Sequence, residues 1–227
     1  MTASFILLAV LPKVTAEQKN EAAATDLLAG LTSVSSPLKD KDFLFFLGSL
    51  ILFASCFFQL FTTVPVYFKE NLRLDEFWIG VVMAANGVLI ALFEMVIVFK
   101  LEGRKPYLYL MAVGTVLMGA SFLLLNLPLA SGFAVAMLAV LMLTVAEMVS
   151  MPFMNSYYIS RSNVANRGQY AGMYTMAWSA AQVIGSSSGS AIAQKIGYNF
   201  LWVIAAAICF VSAGAFYWLL HRKPAVR

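Results

Sequence analysis

The chain has 227 residues, 61% of them hydrophobic and 11% charged, with a formal net charge of +4. A soluble domain carries roughly a quarter of its residues as charges, so this composition excludes a soluble globular protein and marks an integral membrane protein. The apolar residues fall in blocks of about 20, the length a helix needs to cross about 30 Å of hydrocarbon, and strand-type alternation is absent, which excludes a membrane barrel.

Residues 1–11 are a short apolar run closed by Pro12 and Lys13. The run is too short to span and has neither a basic n-region nor a small-residue cleavage site, so it is expected to be the end of a preceding transmembrane helix and not a signal peptide. Residues 12–41 form a polar linker. Within it Thr15-Ala16-Glu17-Gln18 is a capping-box pattern and Gly30 a stop signal, so 15–29 is either a short surface helix or a disordered tether. Ser33 to Pro37 breaks any helix before the first full span.

Six spans are predicted, at 43–68, 78–99, 107–126, 133–159, 170–193 and 200–220, forming one all-α transmembrane bundle over 42–221 with a tail at 222–227. The loops are short, so sequence neighbours are antiparallel. The linker, the loops Lys100 to Lys105 and Arg161 to Arg167, and the tail hold twelve of the fifteen basic residues. The other side holds Lys69, Arg73 and Lys195. This asymmetry puts both ends in the cytoplasm of a cell membrane, here read as a bacterial inner membrane. Basic residues distributed in this way are topology signals and imply no nucleic-acid partner.

Cys56 and Cys209 both fall inside spans, where a free thiol acts as a small apolar group. His221 follows the last span beside Arg222 and Lys223 and reads as an anchor. The sequence carries no phosphate-binding glycine loop, no nucleophile motif and no metal-ligand spacing, so no enzyme activity, catalytic residue, cofactor or metal is expected.

The remaining chemistry lies in polar residues at membrane depth, which are costly there. Only two charged residues, Glu94 and Glu147, fall within the apolar stretches, and both are proton-coupling candidates. No Lys or Arg lies inside a span to neutralise them, and desolvation without a counter-charge favours a neutral carboxyl group. Such a group can load and unload a proton or bind a cation; the structural alternative is a neutral carboxyl hydrogen-bonded between helices. Pro152 leaves the Met148 carbonyl without its helical partner about one turn from Glu147, which makes it a candidate hinge.

Two spans carry polar stripes at helical spacing. Ser55, Gln59, Thr62 or Thr63, and Tyr67 share one flank of the first; Tyr170, Tyr174, Trp178, Gln182 and Ser186 form a row on the fifth. Gln59, Thr63, Asn86, Trp178 and Gln182 are the cavity-lining candidates. Gly185 to Gly189 has the small-residue spacing of close helix packing. The third and sixth spans are almost wholly apolar and are expected to face lipid.

Gly103-Arg104-Lys105 after the second span, Glu147 with Pro152 in the fourth, and Arg167-Gly168-Gln169-Tyr170 opening the fifth complete a pattern. Together with the six spans and the linker it resembles the C-terminal half of a major facilitator superfamily transporter, nearest to drug:proton antiporter-like and sugar-efflux-like members. Lys100 stands where the family's loop signature has an acidic residue, and the fifth span lacks the proline of the antiporter motif. The resemblance implies an inverted three-plus-three helical repeat. It also implies a cavity shared with an N-terminal six-helix half, and Gly103, Arg104, Lys105, Arg167 and Gly168 as cytoplasmic loop motifs. The expected function is secondary transport or efflux of a small-molecule organic substrate coupled to protons across the lipid bilayer. The alternatives are a self-contained six-span protein that homodimerises and a non-transporting scaffold or accessory subunit.

Overall fold

The computed structural model describes residues 36–127 and 131–222. The apolar run 1–11, the segment 15–29 and the tail beyond Arg222 lie outside the described residues. Every regular element among the described residues is helical.

A 3-10 turn, Pro37–Lys39, capped by Ser36, leads into α1, Lys41–Phe57. Asp40 is its N-cap, the carboxylate accepting the Phe43 amide at 3.1 Å and satisfying a donor that the first turn leaves orphaned. The rod is interrupted at Phe58 and resumes as α2, Gln59–Glu70, which contains Pro65. A proline inside a helix removes one donor and crowds the carbonyl four residues back, here that of Phe61. Arg73 takes a positive φ of 53° in the turn that follows. Then come α3, Glu76–Leu101; α4, Tyr107–Leu124; α5, Gly132–Arg161; α6, Arg167–Lys195; and α7, Tyr198–His221. The α5–α6 turn is fixed by two asparagines that cap each other's backbone: Asn163 N–H donates to Asn166 Oδ1 at 2.8 Å and Asn166 N–H to Asn163 Oδ1 at 3.0 Å.

Five rods, α1 with α2, α3, α4, α5 and α7, are long and apolar enough to cross a membrane. α6 matches them in length but is diluted by glycine, serine and glutamine. The protein is therefore a multi-pass membrane protein.

α4 packs against α5 and α7, α1 against α6 and α7, α3 against α5, and α2 against α6. The pattern is symmetric when the first three rods are exchanged with the last three. The second rod of each triplet (α3, α6) packs on the first rod of the other (α5, α1), and the two third rods (α4, α7) pack together. This is the three-plus-three repeat, expressed in contacts while the two triplets differ in residues. Close approach at the centre needs small side chains. At Gly114 on α4 a Cβ would stand 2.8 Å from the Ala146 carbonyl and the Ser150 Cβ of α5.

The apolar third and sixth spans do not simply face lipid. α4 buries Met111, Thr115, Met118 and Phe122, and α7 buries Trp202, Cys209 and Phe216. The least covered rod is α3, whose only buried residues are Val82 and Asn86. In a bilayer the lipid side and the protein side are equally apolar, so hydrophobicity alone cannot assign the face. Phe122 stacks on Trp202 with ring centroids 5.7 Å apart, and Tyr67 meets Trp202 edge-on at 5.3 Å.

Candidate functional site

Glu147 lies on the face of α5 that also carries Leu143, Thr144 and Ser150, all buried, and it is itself only 4% exposed. Its Oε2 accepts from Asn86 Nδ2 of α3 at 3.4 Å. The same Nδ2 donates to Thr144 Oγ1 at 3.0 Å, and the Thr144 hydroxyl donates back to the Val140 carbonyl at 2.7 Å. Glu147 Oε1 is buried and has no hydrogen-bond partner among the described residues. No Lys, Arg or His forms an ion pair with it there. Glu94, half-buried on α3, lies close enough for its charge to act on Glu147.

Two expected residues, Glu147 and Asn86, thus meet at one place, with Glu94 in electrostatic range. Thr144 joins them without having been expected. Its signal was its position one turn before Glu147, masked because a helical threonine that bonds its own i−4 carbonyl behaves as a nearly apolar residue. The site offers a carboxylate oxygen without a donor, a second oxygen held by an amide, and a neighbouring like charge. Chemically this arrangement can take up a proton or a cation.

Gln59, Thr63, Trp178 and Gln182 lie elsewhere. Gln59 sits just past the interruption at Phe58 and bridges to α6. Its Nε2 donates to the Gly185 carbonyl at 2.7 Å and the Ser55 carbonyl at 3.1 Å, and its Oε1 accepts from Thr63 Oγ1 at 2.6 Å. Ser55 Oγ donates to the Ala181 carbonyl at 3.4 Å. Gly185 and Gly189 make this contact possible, since a Cβ on either would collide with Ser55 or Gln59. A cavity of about 40 Å³ beside Gln59, Ser188 and Gly189 has room for little more than a water molecule. Trp178 is half-buried against Phe53, Phe57 and Phe58. Gln182 is exposed. The buried row on α6 therefore runs through Tyr170, Tyr174, Ala177, Ala181, Gly185 and Gly189, leaving the expected row after Tyr174.

α5 continues through Pro152 without interruption. The first span is interrupted at Phe58. Gly103 takes a φ of +73° in the α3–α4 turn, Lys105 places its ammonium 5.7 Å from the Tyr109 ring centroid, and Arg104, Arg167 and Gly168 are exposed.

At the same end of the bundle a charged cluster joins four elements. Asp40 accepts from Arg161 Nε at 3.1 Å and Nη2 at 2.5 Å and from the Tyr170 hydroxyl at 3.0 Å. Asp42 pairs with Arg222 at 3.1 Å and lies 3.8 Å from Arg161. Burial opposes the charge on Asp40, but the Arg161 guanidinium, the Phe43 amide and the Tyr170 hydroxyl outweigh it and hold the carboxyl below its ordinary value. Sequence reading missed this cluster, because Lys39-Asp40-Lys41-Asp42 looks like an ordinary charged linker end. No group of three or more potential metal ligands occurs among the described residues.

The sequence model of the Major Facilitator Superfamily matches residues 1–186. The chain belongs to this superfamily. A curated relative, the Na(+), Li(+), K(+)/H(+) antiporter of Planococcus maritimus, is 26% identical over 198 residues, which is 81% of this chain and 46% of the relative. The chain thus spans about half the length of the curated relative it matches.

Proposed function

We propose that the chain is one six-helix half, corresponding to the C-terminal half, of a proton-coupled secondary transporter in which Glu147 carries the exchanged proton. The carrying observation is a carboxyl group buried at membrane depth, with one oxygen lacking any donor and no counter-charge beside it among the described residues. A fixed structural carboxyl has its hydrogen bonds completed by its neighbours; this one leaves Oε1 open to a proton or a cation. The relative's name makes an alkali cation the first counter-substrate to test, and a small organic solute is the second. Thr144 and Asn86 share the site, Glu94 lies in electrostatic range, Phe58 interrupts the rod that carries Gln59, and Pro152, at which α5 stays unbroken here, is the proposed hinge of the rod that carries Glu147. The excess of basic residues at the Lys100 to Lys105 end supports a cytoplasmic position for that end and for both chain termini, in an inner membrane.

The test is Glu147→Gln, which preserves shape and much of the hydrogen bonding while fixing the neutral state. In vesicles holding the reassembled transporter, transport of sodium, lithium, potassium or a cationic dye driven by an imposed pH gradient is expected to fall at least tenfold. Exchange of labelled organic substrate without a gradient is expected to persist. Glu147→Asp retains part of the gradient-driven rate, because the titrating group remains. Wild-type behaviour of Glu147→Gln in both assays would transfer the proton-carrying role to Glu94.

A further inference from the structure

α3 is held to the bundle in an unusual way. Of its 26 residues only Val82 and Asn86 are buried, and Phe99 at its end is 85% exposed. Its buried side-chain hydrogen bonds among the described residues are the two from Asn86 Nδ2, one to Thr144 and one to Glu147. The helix that touches the carboxyl group is thus also the helix with the least apolar surface holding it in place.

We propose that Asn86 is a positioning residue for Glu147, and that its two hydrogen bonds make the seating of α3 on α5 follow the charge of that carboxyl group. The proposal rests on the reading of Glu147 as the proton carrier. An ionised carboxylate only accepts, so it holds the Asn86 N–H; a protonated carboxyl carries an O–H of its own. A proton arriving from water at the open Oε1 turns Oε2 from a charged into a neutral acceptor, and its charge-assisted hold on the Asn86 N–H, already 3.4 Å long, weakens. Thr144 cannot replace the lost contact, because its hydroxyl proton is already committed to Val140. Among the described residues Glu94 of α3 is the charge that acts on Glu147. The other titratable groups on the elements packed against α5 stand toward the helix ends: Tyr107 and Tyr109 on α4, Arg167, Tyr170, Tyr174 and Lys195 on α6, and Tyr157, Tyr158 and Arg161 on α5 itself. With so little else buried, a change at Asn86 is transmitted along α3 as a rigid rod, from Trp78 at one end to the Gly103 turn at the other.

Trp78 supplies a native reporter, because its ring lies edge-on to Phe133 of α5 with centroids 5.0 Å apart. The chain labelled with 5-fluorotryptophan is placed in lipid nanodiscs, and the Trp78 fluorine resonance, assigned through Trp78→Phe, is followed from pH 5 to pH 9. The wild type is expected to show a sigmoidal shift. Glu147→Gln loses the shift because the charge is gone, and Asn86→Ala loses it because the link is gone. Asn86→Gln, which keeps the amide donor, recovers it at least in part. Where Asn86→Ala does not fold, Asn86→Ser, which lacks the amide, serves the same comparison.

A flat wild-type titration overturns the proposal, as does an undiminished shift in the variants that lack the amide. A purely structural asparagine would change stability and leave the pH response intact. Loss of gradient-driven transport in Glu147→Gln with no Trp78 response sinks this inference and spares the proton-carrier reading. A Trp78 response with normal gradient-driven transport in Glu147→Gln does the reverse.

Discussion

At the scale of single residues the bundle sorts its charges into two environments. Glu147 has one amide donor and no cation, whereas Asp40 has a guanidinium, a hydroxyl and a backbone amide. Both are carboxylates on long helices, and their partners give them opposite properties: one is open to exchange, the other fixed. Asp40 is held below its ordinary value of 3.8, so its contribution to stability is fully present above that pH and is lost as pH falls through the lower folded-state value. Asp40→Asn is therefore expected to cost about 2 kcal/mol near neutrality, the scale of a hydrogen bond to a charged group. The gap from wild type should close as the solution is acidified below pH 3.8. Thermal melts of both proteins across that range check it, and a gap that stays constant with pH would show that the ion pair contributes nothing. Sequence alone offered Glu147, since a carboxylate in an apolar run is conspicuous. Asp40 lay hidden because its partners, Arg161 and Tyr170, are more than a hundred positions away.

At the scale of helices, what was legible and what was not have the same physical origin. Bilayer thickness sets a helix length, so runs of about 20 apolar residues mark rods, and five rods among the described residues are long and apolar enough to cross a membrane. The side of each rod that meets protein is not encoded by hydrophobicity, because lipid tails and apolar side chains are alike. It is encoded by small residues: on α6 the buried row that begins at Tyr170 and Tyr174 follows Ala177 and Ala181 to Gly185 and Gly189, where Gln59 reaches across. Loops carry the remaining information as charge. A cysteine at Gly103, in the basic turn between α3 and α4, is expected to resist a membrane-impermeant maleimide in intact cells. One at Asp75, at the opposite end of α3, should react. Neither substitution meets a tight contact, since a Cβ at Gly103 has no neighbour within 4 Å, its φ of +73° adding only local strain in an exposed turn, and Asp75 forms no side-chain cap. Labelling at position 103 with protection at 75 would invert the proposed orientation.

At the scale of the whole molecule, the surface that this bundle leaves open indicates what should cover it. The exposed side of α6 carries Thr175, Ser179 and Gln182 at membrane depth. Thr175 satisfies its hydroxyl on the Ala171 carbonyl at 3.0 Å, but the Gln182 amide makes no hydrogen bond among the described residues and has two donors and an acceptor to satisfy. Lipid can supply none of these, so a second protein surface or an aqueous cavity must. A rocking transporter places such a cavity between two opposed bundles, and the chain's match to about half of an antiporter's length supplies the same count. The chain alone, reconstituted in liposomes, is therefore expected to insert with its helices intact and to show no gradient-driven transport above protein-free vesicles. Co-reconstitution with a six-helix N-terminal half should restore transport, and Gln182→Leu should weaken that restoration without lowering insertion of the single chain. The homodimer alternative makes the opposite demand: robust transport by the isolated chain, with cross-linking through cysteines on the exposed face of α6, would establish two copies of this bundle as the complete transporter.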